Sequence, residues 1–104
     1  DDLGQVEEAR RTYERALALR PSPEAYNNLG VLDLKGNRPT EAVTRFRQAL
    51  ALRPGVAAIH ENLGLALRAA GDPTGAASAF ETALRLDPTL ATSRAALEQL
   101  RPAR

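Results

Sequence analysis

A period of 34 residues organises this chain of 104 residues, and it constrains the fold more than any other feature. Identical residues recur one period apart: Leu29 and Leu63, Gly30 and Gly64, Ala42 and Ala76, Phe46 and Phe80, Ala49 and Ala83, and Pro54 and Pro88. A fixed period of this length is typical of supersecondary units that stack, because one unit cannot bury its whole apolar surface alone. The sequence therefore predicts an array of stacked units within one domain.

Each unit has two halves with the pattern of an amphipathic helix. The apolar and small residues of each half follow the spacing of one helix face: Tyr26, Leu29 and Gly30 in the first half, and Ala42, Phe46, Ala49 and Leu50 in the second. Between the halves, residues 36–39 are the chain-turning sequence GNRP. The pattern predicts helix, tight turn, helix. We expect Gly30 and Gly64 at close helix contacts, and the most buried residues to include Phe46, Leu50, Leu63, Ala76 and Phe80.

The pattern resembles the tetratricopeptide repeat (TPR) family. The resemblance is carried by Tyr26, Leu29, Gly30, Ala42, Phe46, Ala49, Pro54, His60, Leu63, Gly64, Leu67, Ala76, Phe80, Ala83 and Pro88. Tyr26 and His60 stand where the family usually has tryptophan, and Asp33 stands where it has an apolar or aromatic residue. The resemblance implies an all-α fold, a right-handed superhelical solenoid of antiparallel helix pairs.

The period divides the chain into four parts of one repeat domain, residues 1–104. We assign 1–22 to the second helix of a partial repeat, 23–56 and 57–90 to complete repeats, and 91–104 to a capping or half-repeat helix. Ser22 and Asp72 are expected N-caps, each followed by proline at the first helical position. Because the chain begins inside a repeat and without methionine, we expect a segment of a longer protein.

Asp33 is the oddity of this pattern, since the next repeat has Leu67 at the equivalent position. Gly36 also precedes Ala42 by six residues, whereas Gly71 precedes Ala76 by five. We therefore expect the first helix of this repeat to end one residue early. The Asp33 carboxylate would then lie near the turn, solvated or paired with an arginine, because an unpaired buried charge is costly.

Composition argues against several classes of function. With 14 Lys and Arg against 13 Asp and Glu, the net charge is +1, and we expect neither nucleic acid nor a membrane as partner. There is no cysteine, and no apolar run approaches the roughly 20 residues that span a bilayer. Localisation stays open, with the cytoplasm as the expected compartment.

No convergent set of acid, base and nucleophile can be assembled from the sequence. His60 is the single histidine, and Gly64, four residues later, cannot be a second metal ligand. We interpret His60 as an imidazole packed between helices. We therefore expect no enzyme activity, no catalytic residue, no metal and no cofactor.

The remaining class is a scaffold that binds a protein or peptide. In the TPR architecture the first helix of each repeat lines a concave groove, and the resemblance implies these groove residues: Asn27, Asn28, Val31, Lys35, Glu61, Asn62, Leu65, Arg68 and Gln99. Asn28 and Asn62 lie one period apart, and a row of amides can pair with the backbone of an extended peptide. Such amides would point into solvent without a strong intramolecular partner. The alternative, that they pair with neighbouring helices, is open at this point.

Three further expectations follow. The lysine, arginine and asparagine set that binds chaperone C-termini in some family members is matched here by Asn62 alone, so a chaperone-tail receptor is not expected. The first helix would leave an apolar edge along Val6, Tyr13 and Leu17, which predicts self-association.

An alternative function is a substrate-recruiting or regulatory segment of a larger enzyme, similar to the repeats of the O-linked N-acetylglucosamine transferase.

Overall fold

A computed structural model describes residues 2–100 of the chain. In this part the chain forms six α-helices and no strand, which confirms the all-α prediction. The helices are α1 (Asp2–Leu19), α2 (Pro23–Lys35), α3 (Pro39–Leu52), α4 (Ala57–Ala69), α5 (Pro73–Leu86) and α6 (Ala91–Leu100). Each helix packs against the next along the chain, and the connections of three or four residues make neighbours antiparallel.

The core is built from glycine–phenylalanine contacts repeated one period apart. Phe46 and Phe80 are fully buried. A Cβ atom added to Gly30 would lie 2.6 Å from Cε1 of Phe46, and one added to Gly64 would lie 2.6 Å from Cε1 of Phe80. Both glycines are therefore required by the close approach of a ring, as the sequence predicted.

One of the expected core residues lies at the margin instead. Leu63 and Ala76 are buried as predicted, but Leu50 is only half-buried and packs against the core from outside. In the same helix Ala49 is fully buried. The buried face of α3 is therefore centred on Ala49, and Leu50 lies at the edge of that face.

The turn after α2 has the same backbone geometry as the turn after α4. Asn37 has φ 60° and Gly71, one period later, has φ 88°. The amide N–H of Arg38 donates to the carbonyl oxygen of Asp33 at 2.8 Å, and that of Asp72 donates to Leu67 at 2.9 Å. The expectation of a shortened first helix was therefore wrong: both α2 and α4 have 13 residues. Asn37, a residue that tolerates left-handed backbone, occupies the position that the sequence argument gave to Gly36.

We expect Gly71→Val to destabilise the protein and Gly71→Asn to be tolerated. No atom lies within 4 Å of a Cβ built on Gly71, so the cost of a side chain is backbone strain alone. Left-handed backbone costs most residues about 1–2 kcal/mol, while asparagine can offset it locally. Thermal unfolding of the two variants measures this directly. Equal melting temperatures would show that the turn does not constrain the chain.

The predicted N-caps are present on α2 and α5. Ser22 Oγ accepts from the amide of Ala25 at 3.0 Å, and Asp72 Oδ1 accepts from the amide of Gly75 at 2.9 Å. Each bond satisfies one N–H that has no acceptor inside its helix.

Asp33 is fully buried and forms an ion pair with Arg10 of α1. The expected arginine partner is therefore confirmed, whereas a solvated carboxylate near the turn was wrong. Arg10 Nε also lies 3.6 Å from Oε1 of Glu7. Burial on its own lowers the pKa of Arg10, but the hydrogen bond and charge of Asp33, together with nearby glutamates, outweigh it and raise that pKa.

This ion pair is buried in the contact between α1 and α2. Among the described residues Arg10 is the only buried side chain of α1, and none of the buried apolar core residues belongs to that helix. At the equivalent contact in the next repeat, α3 places Val43, 33 residues after Arg10, and α4 places Leu67, 34 residues after Asp33. Both are buried in the apolar core. The fold thus replaces an apolar contact by an ionic one at its first interface.

Candidate functional site

Helices α2, α4 and α6 form one layer of the molecule. In the part of the chain that the structure describes, α2 contacts α4 and α4 contacts α6, whereas α1, α3 and α5 do not contact one another. In a curved stack of hairpins, the layer whose helices approach most closely lies on the inside of the curve. We call the solvent-facing side of α2, α4 and α6 the inner face.

An amide pair links the first two helices of the inner face. Asn62 Nδ2 of α4 donates to Oδ1 of Asn27 in α2 at 3.0 Å, and both residues are half-buried. Asn28 is exposed and has no side-chain hydrogen bond to the described residues. The expectation that Asn28 and Asn62 both lack an intramolecular partner is therefore wrong for Asn62. Asn62 meets Asn27 and not Asn28, its equivalent one period earlier, because two stacked helices face each other with opposite flanks and therefore with different positions of the repeat.

A carboxylate links the last two helices of the inner face. Oε2 of Glu61 accepts from the amide N–H of Ser93 at 3.0 Å and from its Oγ–H at 2.8 Å. Ser93 is fully buried and lies in the first turn of α6, where amide N–H groups have no acceptor within the helix. Glu61 therefore acts as a cap on α6 from the neighbouring helix, and no motif in the sequence indicated this contact.

The apolar part of the inner face is half-buried. Val31 and Leu65, one period apart, pack against the core and retain part of their surface. Lys35 and Arg68 are exposed near the carboxyl ends of α2 and α4, and the Arg68 guanidinium lies 5.9 Å from the ring centre of Phe80. Gln99 on α6 is exposed.

The other sequence-predicted residues have structural surroundings. His60 is half-buried, and its Nε2 lies 2.7 Å from the carbonyl oxygen of Pro54, which fits a packed imidazole. Across residues 2–100 no group of three or more acidic or histidine side chains could hold a metal ion. Nor is any described helix long and apolar enough to cross a membrane.

The apolar residues that the sequence placed along the outer edge of α1 are less exposed than expected. Val6, Tyr13 and Leu17 are each half-buried, and the most exposed apolar side chains of α1 are Leu3 and Leu19, at 68% and 90%. Leu3 and Leu19 lie at opposite ends of the helix, so they do not form one continuous patch. Self-association through this edge stays a prediction.

Comparisons with known proteins agree with the fold. A family model described as tetratricopeptide repeat matches residues 32–91, and a second, described as TPR repeat, matches residues 2–36. A TPR repeat-containing protein of Pseudomonas aeruginosa is 40% identical over 64 residues. That match covers 62% of this chain but only 26% of the Pseudomonas protein.

Two solved structures illustrate the similarity. The first TPR of Spaghetti (RPAP3), bound to an HSP90 peptide, is 20% identical with a TM-score of 0.90, covering 95% of this chain and 79% of that one. A mutant O-GlcNAc transferase of Thermobaculum terrenum is 33% identical with a TM-score of 0.85, covering 93% of this chain and 19% of that one. The 34-residue period, the repeated glycine–phenylalanine contacts, the stacked hairpins and the family match show that this chain belongs to the tetratricopeptide repeat family.

Proposed function

We propose that the chain is a protein-interaction module that binds an extended partner segment along the inner face. The observation that carries the proposal is the surface shared by three neighbouring helices, where exposed polar groups adjoin half-buried apolar ones. On α2 the exposed Asn28 lies beside Val31, and on α4 Leu65 lies beside the exposed Arg68. Such a surface offers backbone hydrogen bonds and apolar contact together. The TPR of RPAP3 was solved with a bound peptide, which supports this use of the fold. At 20% identity it shares the fold with this chain, and its peptide is not assigned to this chain.

The amide pair changes how the inner face would hold a peptide. The bond between Asn62 and Asn27 uses one donor of the first amide and one acceptor of the second. Each amide has further donor and acceptor capacity, and the bond fixes the orientation of both groups. Asn28 would bind as a free amide, whereas Asn27 and Asn62 would bind as a preoriented pair.

We expect Asn28→Ala to weaken peptide binding a few-fold to about tenfold. The variant removes one hydrogen bond, which is worth about 0.5–1.5 kcal/mol, and tenfold in affinity corresponds to about 1.4 kcal/mol. Because the lost bond is to the peptide backbone, the effect should be similar for peptides of different sequence. The measurement is calorimetric titration with peptides selected on the wild-type protein from a random library.

Val31→Asp and Arg47→Ala complete this experiment. Val31→Asp should discriminate among the peptides, with the largest loss for apolar ones. Arg47 is exposed on α3, away from the inner face, and its replacement by alanine is the matched control that should leave affinity unchanged. If Arg47→Ala weakens binding and Asn28→Ala does not, the binding surface lies on the layer of α1, α3 and α5.

A second candidate function is a recruiting or regulatory segment of a larger enzyme. It is supported by the 33% identity to the Thermobaculum terrenum O-GlcNAc transferase, of which the chain spans 19%. The reading frame that encodes the chain tests this candidate. A catalytic domain in the same frame would favour it, and a frame of repeats alone would favour the scaffold.

A further inference from the structure

Glu61 is the single acid among the nine residues proposed for peptide binding. On α4 it precedes Leu65 by four residues and Arg68 by seven, so the three side chains share one side of the helix. The inner face of α4 therefore presents an acid, an apolar group and a base in that order. On α2 the position equivalent to Glu61 is the neutral Asn27.

The Glu61 carboxylate is held in place but keeps one oxygen available. Both hydrogen bonds from Ser93 are to Oε2. Oε1 accepts no hydrogen bond from any residue in the described range 2–100. Glu61 itself is half-buried, and Oε1 is not one of the buried side-chain atoms without a partner in the described part of the chain, so this oxygen is accessible at the surface.

No cation within the described part of the chain neutralises this carboxylate. The ion pairs there involve Glu7, Glu24 and Asp33, and none involves Glu61. Ser93 supplies donors in the first turn of α6, where the helix dipole adds a partial positive charge of about half a unit, so the carboxylate retains net negative charge. Arg68 lies about 10 Å further along the helix axis, seven residues at about 1.5 Å each. That distance exceeds the Debye length of about 8 Å at physiological ionic strength, so the attraction between the two charges is largely screened.

We propose that Glu61 makes the inner face selective for a partner segment with a cationic nitrogen opposite the junction of α4 and α6. This inference rests on the proposed function and specifies which segments would be bound. The ligand group is a lysine ammonium, an arginine guanidinium or a peptide amino terminus, each a charged donor to Oε1. A charge-assisted hydrogen bond is stronger than a neutral one. An acceptor fixed before binding also loses little side-chain freedom when the bond forms.

The test begins with selection of twelve-residue peptides from a random library on the wild-type protein. The library is displayed internally, so that no free amino terminus is present. The selected sequences should share one position enriched in lysine or arginine. The best peptide and its derivative with norleucine at that position are then titrated calorimetrically. A third peptide, with a free amino terminus at that position, shows whether the cation can be an amino terminus as well as a side chain.

Two protein variants localise the effect. Glu61→Gln keeps an acceptor for Ser93 but removes the charge, and it should weaken binding of the cationic peptide about tenfold while leaving the norleucine peptide unchanged. Glu41→Gln removes the same charge from the exposed side of α3 and should change neither affinity by more than about twofold. The norleucine peptide also tests the cation on unaltered protein, independently of any folding defect in the Glu61 variant.

The outcomes separate this inference from the proposed function. Peptides selected without a cationic position, or equal affinities of Glu61→Gln and wild type for the cationic peptide, would overturn the inference and leave the peptide-binding function standing. Selection of no peptide at all would overturn both. A loss with Glu61→Gln that is the same for the cationic and norleucine peptides would assign Glu61 to the docking of α6 and also overturn the inference.

Discussion

Replacing Asp33 with leucine should destabilise the docking of α1 by about 3–5 kcal/mol, the cost of leaving one member of a buried ion pair without its partner. Arg10 would then be buried against an apolar side chain, with its main counter-charge removed. Because α2 is the single helix that α1 contacts within the described residues 2–100, the loss should appear as local unfolding of α1 and not as unfolding of the whole chain. Amide hydrogen exchange should show faster exchange throughout α1 and retained protection in α4 and α5.

The matched control is the double variant Arg10→Val, Asp33→Leu. It copies the residues at the equivalent positions of the next repeat, Val43 and Leu67, which are both buried in the apolar core. Well-packed apolar residues often equal or exceed a buried ion pair in stability, so α1 should regain wild-type protection or more. A double variant as unstable as Asp33→Leu would show that the ion pair does not control the docking of α1.

Replacing Gly64 with leucine should destabilise the protein by about 1–3 kcal/mol or more, because the site has no room for a side chain. Even a Cβ atom there would lie 2.6 Å from the ring of Phe80, which is fully buried and cannot move into solvent. Denaturant unfolding should show a lower midpoint with α4 and α5 affected together.

Gly55→Leu is the matched control for this variant. Gly55 is exposed in the connection between α3 and α4, and nothing lies within 4 Å of a Cβ built there. Its effect should stay within about 0.5 kcal/mol, the usual range for a surface substitution. Equal unfolding midpoints for Gly64→Leu and wild type would contradict the packing of α4 against α5.

The 34-residue period made the helix pairs and the glycine–phenylalanine contacts predictable from sequence. These features depend on residues that recur, so the pattern of one repeat predicts the helices and contacts of the next. Phe46 and Phe80 meet Gly30 and Gly64 at equal distances because the two hairpins have the same geometry. The period could not show the curvature of the stack or which amides would meet across it.

The features that sequence reasoning missed are those in which one repeat differs from the next. Asp33 was recognised as exceptional, but its burial depends on Arg10, which lies on a helix outside the two complete repeats. Asn37 was overlooked because the sequence argument compared Gly36 with Gly71, although the residue one period before Gly71 is Asn37. The bond from Asn62 to Asn27 joins different positions of two repeats, and a period that aligns equivalent positions contains no information on which different positions meet.

The central claim is that partner segments bind on the inner face, and amide chemical-shift mapping tests it most directly. A peptide selected on the wild-type protein is titrated into isotope-labelled protein, and shift changes are followed residue by residue. We predict that the largest changes lie on α2, α4 and α6, including Asn28, Leu65 and Gln99. Changes confined to the exposed sides of α3 and α5, such as Arg47 and Glu81, would contradict the claim.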